Sequence, residues 1–414
     1  MKKTIFAGAI AIASMGVASA QGLYDLAPND DAQESSPVKW YATANVGYDD
    51  NVTPTITSGP GHEQSAGYLS AYVGATFVSV TPQTTWDVYG QIGGIYYFDP
   101  IVTSNGTDTE DLFGEARLGF NITHRVSERL RLSSRNYVSY EMEPDYAYGM
   151  SSDRSLEQYL YYRTDNSIGY QWTERFGTYA GFAIYGADYQ NSASANDRTT
   201  WEAYLQLRYR ATPQTVWTAG YRYGQTDRDV LGDSTSHYLT VGVEHRFSPN
   251  TVFAGNIGAQ IRDTDNGSDG TSPYIDLALR SQVNEQFGYR LFARYGYEDW
   301  DTTQGIDGVG LVAYDTNETF RFGITGDYIV SPQLTLFAGA NIIYTDYSDG
   351  VRSNGTAGPN TDVSLYNLNI GFAYAINDAW SLTGSYNYTN SISDDISSRD
   401  YSRNRVQIGA RVDF

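Results

Sequence analysis

Arginines and carboxylates recur at alternate positions along this chain. Glu115 with Arg117, Arg163 with Asp165, Arg208 with Arg210, and Arg403 with Arg405 each lie two residues apart. A guanidinium is always charged and presents a planar fork of donors that fits carboxylate or phosphate. Guanidiniums facing one space would set up a positive field there, or clamp anionic groups on a solute. Paired with acids such as Glu115 or Glu202, the same arginines would only knit a wall together, and both readings stand. Acid–base catalysis is poorly provided for. The four histidines, His62, His124, His237 and His245, show no Ser–His pattern, and a nucleophile needs a base within reach. No metal-ligand spacing appears, and the absence of cysteine removes thiolate chemistry. The expectation is a protein that is not an enzyme and needs no cofactor.

The elements that would position these residues are legible at the carboxy-terminal end. In residues 401–414, Val406, Ile408, Ala410, Val412 and Phe414 share one parity. Arg403, Arg405, Gln407, Gly409, Arg411 and Asp413 share the other. A strand sends these sets to opposite faces. The same unit recurs from Val38 onward: alternating strand, tight turn, alternating strand, long acidic loop. Four turns carry Pro at their second position, where its fixed φ suits a β-turn: Pro82, Pro213, Pro249 and Pro332. Four more fall at 127–129, 173–175, 284–286 and 377–379. Nine longer connections rich in Asp, Asn, Ser, Gly and Thr separate the hairpins, at 51–65, 99–109, 141–154, 191–199, 228–236, 263–272, 299–316, 346–361 and 390–399. Eight short turns and nine loops predict about eighteen strands, or sixteen if one hairpin is lost, because strands five and six alternate poorly.

The parity rule then separates apolar from charged side chains. Leu69, Ala71, Val73, Ala75 and Phe77 share a face, as do Trp201, Ala203, Leu205, Leu207 and Tyr209, whereas the charges occupy the opposite parity. A charge on the lipid face near the bilayer midplane costs roughly 2–4 kcal/mol, so this segregation predicts an all-β transmembrane antiparallel up-and-down barrel over residues 38–414. Trp40, Trp86, Trp172, Trp217 and Trp380 all fall at short-turn ends of strands, as an interfacial girdle would. No helical run could span a bilayer after residue 20, and a closed barrel satisfies its backbone there instead. Residues 1–20, with Lys2, Lys3 and the small-residue site Ala18-Ser19-Ala20, read as a secretory signal peptide. Residues 21–37 read as a flexible leader. Without Lys2 and Lys3 the chain keeps 25 basic against 48 acidic residues, which argues against a nucleic-acid partner.

The opening strand ends Gly47-Tyr48-Asp49-Asp50-Asn51-Val52. This Tyr-Asp-Asp-Asn step, followed by barrel hairpins to a terminal Phe, resembles the β-barrel porin family that includes outer-membrane proteins of exopolysaccharide operons. The resemblance implies a porin-like channel in the outer membrane of a Gram-negative bacterium. The substrate is not fixed within that family. Inward arginines, with inward Tyr72, Tyr89, Tyr161, Tyr179, Tyr185 and Tyr204 as stacking surfaces, point to small hydrophilic solutes, anionic or sugar-like, moving by passive diffusion. The resemblance also implies short turns and both termini in the periplasm, long loops outside, and Val406, Ile408, Ala410, Val412 and Phe414 as a signal to the barrel-assembly machinery. Outer-membrane lipid and lipopolysaccharide would be partners. A homo-oligomer would bury one wall, with strands five and six as its candidates. A non-conducting adhesive barrel and a polysaccharide export channel are the competing functions.

If the charged parity faces inward, the pore lining includes Arg117, Arg131, Arg135, Arg163, Arg208, Arg210, Arg222 and Arg246. Arg262, Arg280, Arg290, Arg294, Arg321, Arg403, Arg405 and Arg411 continue it. The inward acids are fewer, among them Glu115, Glu202, Asp276 and Asp327, which predicts a net basic lumen. Residues 263–269 place oxygens at alternate positions like a calcium loop, but Tyr274 stands where a bidentate Glu is needed, so no metal site is expected.

Overall fold

A strand whose two neighbours are both paired leaves no edge, and in this chain that condition holds all the way round. The computed structural model describes residues 35–59, 61–102, 106, 111–143, 158–190, 197–228, 232–265, 269–299, 302–352 and 354–414. The expected signal peptide and most of the leader lie outside these. In order come β1 (Ser36–Asp49), β2 (Ala66–Val80), β3 (Thr84–Tyr97), β4 (Leu112–Arg125), β5 (Leu130–Glu141) and β6 (Tyr159–Gln171). Then follow β7 (Phe176–Tyr189), β8 (Arg198–Thr212), β9 (Thr215–Arg228), β10 (Ser234–Ser248), β11 (Thr251–Thr264), β12 (Gly270–Gln282) and β13 (Phe287–Tyr297). The chain ends with β14 (Thr303–Ile306), β15 (Gly310–Ile329), β16 (Leu334–Arg352), β17 (Thr361–Ala375), β18 (Trp380–Ile392) and β19 (Tyr401–Asp413).

Sequential strands pair antiparallel, and β19 pairs with β1 from Tyr41↔Asp413 to Asp49↔Arg405, which closes the ring. The short β14 pairs only with the start of β15, while β13 pairs directly with β15, so eighteen strands form the barrel and the sixteen-strand alternative is excluded. β1 begins at Ser36, inside the stretch read as leader.

Two expected loops are partly strand. β15 and β16 run on, paired, as far as Val312↔Arg352, through segments read as the connections 299–316 and 346–361. These polar-looking segments hide an alternating apolar set. Val312, Tyr314 and Tyr347 are buried with Ile306, Val363 and Ile396, so the hairpin has a small core of its own.

The apolar parity faces outward. Val73, Ile92, Leu118, Leu205, Ile257, Leu368 and Ile408 are all exposed, an arrangement that lipid satisfies and water does not. Trp40, Trp172, Trp217 and Trp380 are exposed at the short-turn ends, and Trp86 packs 4.8 Å from Phe77, ring centre to ring centre. The poor alternation of β5 and β6 has a local explanation. Their outward residues include Ser134, Asn136, Thr164 and Asn166, which hydrogen-bond among themselves. Ser134 Oγ donates to Asn166 Oδ1 at 2.7 Å, Thr164 Oγ1 to Asn136 Oδ1 at 2.8 Å and Asn166 Nδ2 to Thr164 Oγ1 at 2.9 Å. Polar groups facing hydrocarbon must find partners within the wall, and these do.

Candidate functional site

The Tyr-Asp-Asp-Asn step locks the seam where β1 meets β19. Asp49 is fully buried and takes a forked hydrogen bond from Arg403 Nε, 3.0 Å to Oδ1 and 3.1 Å to Oδ2, besides its ion pair with the same guanidinium. Asp50 accepts from the Asn404 backbone N–H at 2.6 Å and from Asn404 Nδ2 at 2.7 Å. Asn51 Nδ2 reaches the Ser402 carbonyl at 3.1 Å. Arg403 also donates to both oxygens of Glu143, at 2.7 and 2.9 Å, and Arg405 reaches Glu143 at 3.1 Å. Glu143 stands just past β5, so the base of that long loop is drawn into the lumen. Val52, Ile101 and Met142, from three different loops, join Tyr68, Ile95, Tyr97 and Phe113 in a buried apolar cluster.

A second inward loop acid is Asp299, past the end of β13. Arg262 donates to its Oδ1 at 2.6 Å, Arg228 pairs with the same oxygen, Thr226 Oγ1 donates to Oδ2 at 3.0 Å, and Arg198 donates to its backbone carbonyl at 2.9 Å. Burial alone would raise the Asp299 pKa. The Arg262 and Arg228 charges, with hydrogen bonds from Arg228 and Thr226, override that and hold it well below the usual carboxylate range. Its neighbour Glu298 takes a forked pair from Arg321, at 2.7 and 2.9 Å to Nε and 2.7 Å to Nη2.

Many of the arginines of this parity are matched with acids instead of forming a basic surface. Arg117 pairs with Glu141, not Glu115, and Glu115 accepts from the Tyr72 phenol at 2.6 Å. Arg208 pairs with Glu244 at 2.7 Å, not with Glu202; Glu202 faces Arg222 at 3.6 Å and accepts from Tyr185 at 3.3 Å. Neither partner is the residue directly opposite: Arg117 is registered with Ser139 and reaches diagonally to Glu141, and Arg208 reaches past Thr218 of β9 to Glu244 on β10. Arg163 lies 3.8 Å from Asp165, and Arg294 stands opposite Asp276 across β12–β13. Arg280 is registered with Arg290, and the charges of both act on Asp327 of β15. Arg131 and Arg135 keep partial exposure on β5. Arg210 and Arg246 are exposed at the short-turn rim, outside the constricted part of the bore. Arg411 pairs with Asp413 at 2.7 Å and stacks over Tyr41.

The lumen is filled unevenly along its axis. Toward the long loops the inward side chains are buried, including Tyr68, Arg262, Tyr347 and Arg403; toward the short turns Tyr89, Arg131, Arg280 and Arg290 retain exposure. In the buried half, β6–β10, β12 and β13 with Glu298 and Asp299 line a cavity of about 110 Å³. Phenols line it: Tyr161, Tyr185, Tyr204, Tyr238, Tyr274 and Tyr297. Arg222 lies 3.8 Å above the Tyr238 ring. Tyr204 is seated by a glycine, because its ring lies across Gly181 on β7, where a Cβ would collide with it. That posture brings its hydroxyl to Asp165 at 2.7 Å. Glu141 could have been found by parity, whereas Glu143 and Asp299 carry no sequence signal that separates them from other loop acids. Residues 266–268 of the calcium-like stretch lie outside the described residues.

No protein-family model matches the chain, and none of the characterised proteins matches it in sequence. Solved structures with a similar architecture include OccAB4 of Acinetobacter baumannii, at 14% identity and a TM-score of 0.44, covering 92% of this chain and 99% of that one. OccK2 (OpdF) of Pseudomonas aeruginosa in complex with glucuronate matches at 13% identity and 0.45, covering 91% and 98%. OpdK of the same species with vanillate matches at 12% and 0.44, covering 91% and 99%. These likenesses are of barrel architecture, and no solute is carried over from them.

Proposed function

We propose that the chain is an outer-membrane porin-like channel for passive diffusion of small hydrophilic solutes. The observation that carries the reading is a closed ring of eighteen strands that is apolar outside and polar inside, with loop acids narrowing one half of its bore. A ring of this size leaves an aqueous lumen unless loops fold in. Glu143 and Asp299 fold in as single side chains on clasps, which narrows the passage to small solutes. Short turns and termini face the periplasm in this reading, with the long loops outside and Val406 to Phe414 read by the assembly machinery. The paired arginines support a weakly selective bore over a strongly anion-favouring one.

Conductance of the refolded chain in a planar bilayer, with the reversal potential under a KCl gradient, tests this. Steady openings with a small reversal potential are expected. A strongly anion-favouring potential would return the arginines to a free basic lining. A silent, correctly folded barrel would overturn the channel and favour the adhesive barrel, for which the buried long-loop half of the lumen would serve as a plug.

A further inference from the structure

The cavity beside Asp299 has an unusual electrostatic composition for a channel narrowed by arginines. Of the four guanidiniums that line it, Arg163, Arg222 and Arg294 each also face a carboxylate, and Arg198 donates to the Asp299 backbone carbonyl. Arg222 stands 3.6 Å from Glu202, Arg163 stands 3.8 Å from Asp165, and Arg294 is registered with Asp276. At 3.6 and 3.8 Å charge is compensated without a full arginine–carboxylate hydrogen bond, which closes to about 2.7–2.9 Å. Glu202 and Asp165 each accept from one phenol, Tyr185 and Tyr204, with further lone pairs left over. N–H donors and carboxylate lone pairs therefore lie side by side with room between them. Arg294 Nε is buried without a hydrogen-bond partner.

A group entering such a site meets three different costs. A carboxylate must displace the resident acid from its arginine, and an ammonium must displace the arginine from its acid. A hydroxyl does neither, because it donates to one partner and accepts from the other at once. The remaining wall is aromatic. Tyr204, held flat against Gly181, has its other face for the apolar side of a ring, and Tyr238 supports the Arg222 guanidinium plane stacked on it at 3.8 Å.

We infer that this cavity is a binding subsite for an uncharged polyhydroxylated ring, a neutral monosaccharide, which makes the channel selective for sugars over sugar acids. With about 110 Å³ of free space the site limits its occupant to single-ring size. This inference rests on the channel reading for its physiological meaning, but binding itself does not require conduction.

The test is calorimetric titration of the full chain in detergent with D-glucose and with D-glucuronate, which differ only at one ring substituent. Glucose is expected to bind about tenfold more tightly. Glu202→Gln, which keeps the side chain's shape and frees Arg222, should narrow or invert that ratio. Tyr238→Phe should retain glucose binding, and Tyr238→Ala should weaken it about tenfold. Equal binding of the two ligands, tighter glucuronate binding, or no glucose binding by a correctly folded barrel would each overturn the subsite. Glucose-dependent block of the KCl current is the companion measurement. A conducting barrel that ignores glucose in both experiments overturns the subsite alone, whereas a silent barrel that still binds glucose overturns the channel and upholds the subsite.

Discussion

The carboxylate of Asp299 accepts a 2.6 Å hydrogen bond from Arg262, a residue 37 positions earlier and only 1% exposed at its side chain. One belongs to a connection between strands and the other to the barrel wall, so the bond ties a loop base to the bore. It also supplies the countercharge that a desolvated guanidinium needs.

Asp299→Asn should release that tie. It leaves Arg228 and Arg262 facing each other without an anion, at a cost of about 1–3 kcal/mol, below the range for a fully buried pair because Asp299 keeps some solvent access. Single-channel conductance should rise and the denaturation midpoint fall; unchanged conductance would show that Asp299 does not narrow the bore.

Acid should open the same tie only late. Because the folded Asp299 pKa lies below the ordinary carboxylate value near 3.9, its stabilising contribution is present above that value. It is lost as pH falls through the lower, folded value. Conductance attributable to this clasp should therefore be flat from pH 7 to about 4 and change only in stronger acid. An opening at pH 5–6 that disappears in Asp299→Asn would contradict the assignment.

Arg403→Gln removes the cation shared by buried Asp49 and by Glu143 at the closing seam. The expected loss is about 3–5 kcal/mol, measured by urea unfolding in detergent, with Arg403→Lys recovering little because a single ammonium cannot reproduce the two forked pairs. Arg246→Ala, at the exposed rim, should change stability by no more than about 0.5 kcal/mol. Equal effects at the two positions would remove the seam from the account.

Leu205→Arg tests the wall. Leu205 is 48% exposed midway along β8, and an arginine there should cost about 2–4 kcal/mol and reduce the folded, heat-modifiable fraction. A neutral result would mean that β8 does not face lipid.

The ring of eighteen strands, the eight short turns and the outward apolar face followed from residue type and parity alone. A period of two and a turn residue are properties of neighbouring positions, which a linear chain displays directly. Parity likewise grouped the arginines on one face of their strands. It could not assign their partners, because those come from strands whose register depends on the closed ring. Arg117 finds Glu141, and Arg208 finds Glu244, across strands. Nor could it show that Glu143 and Asp299, two loop acids among many, turn inward. Buried guanidiniums far away in sequence select them, and that selection exists only once the barrel has closed.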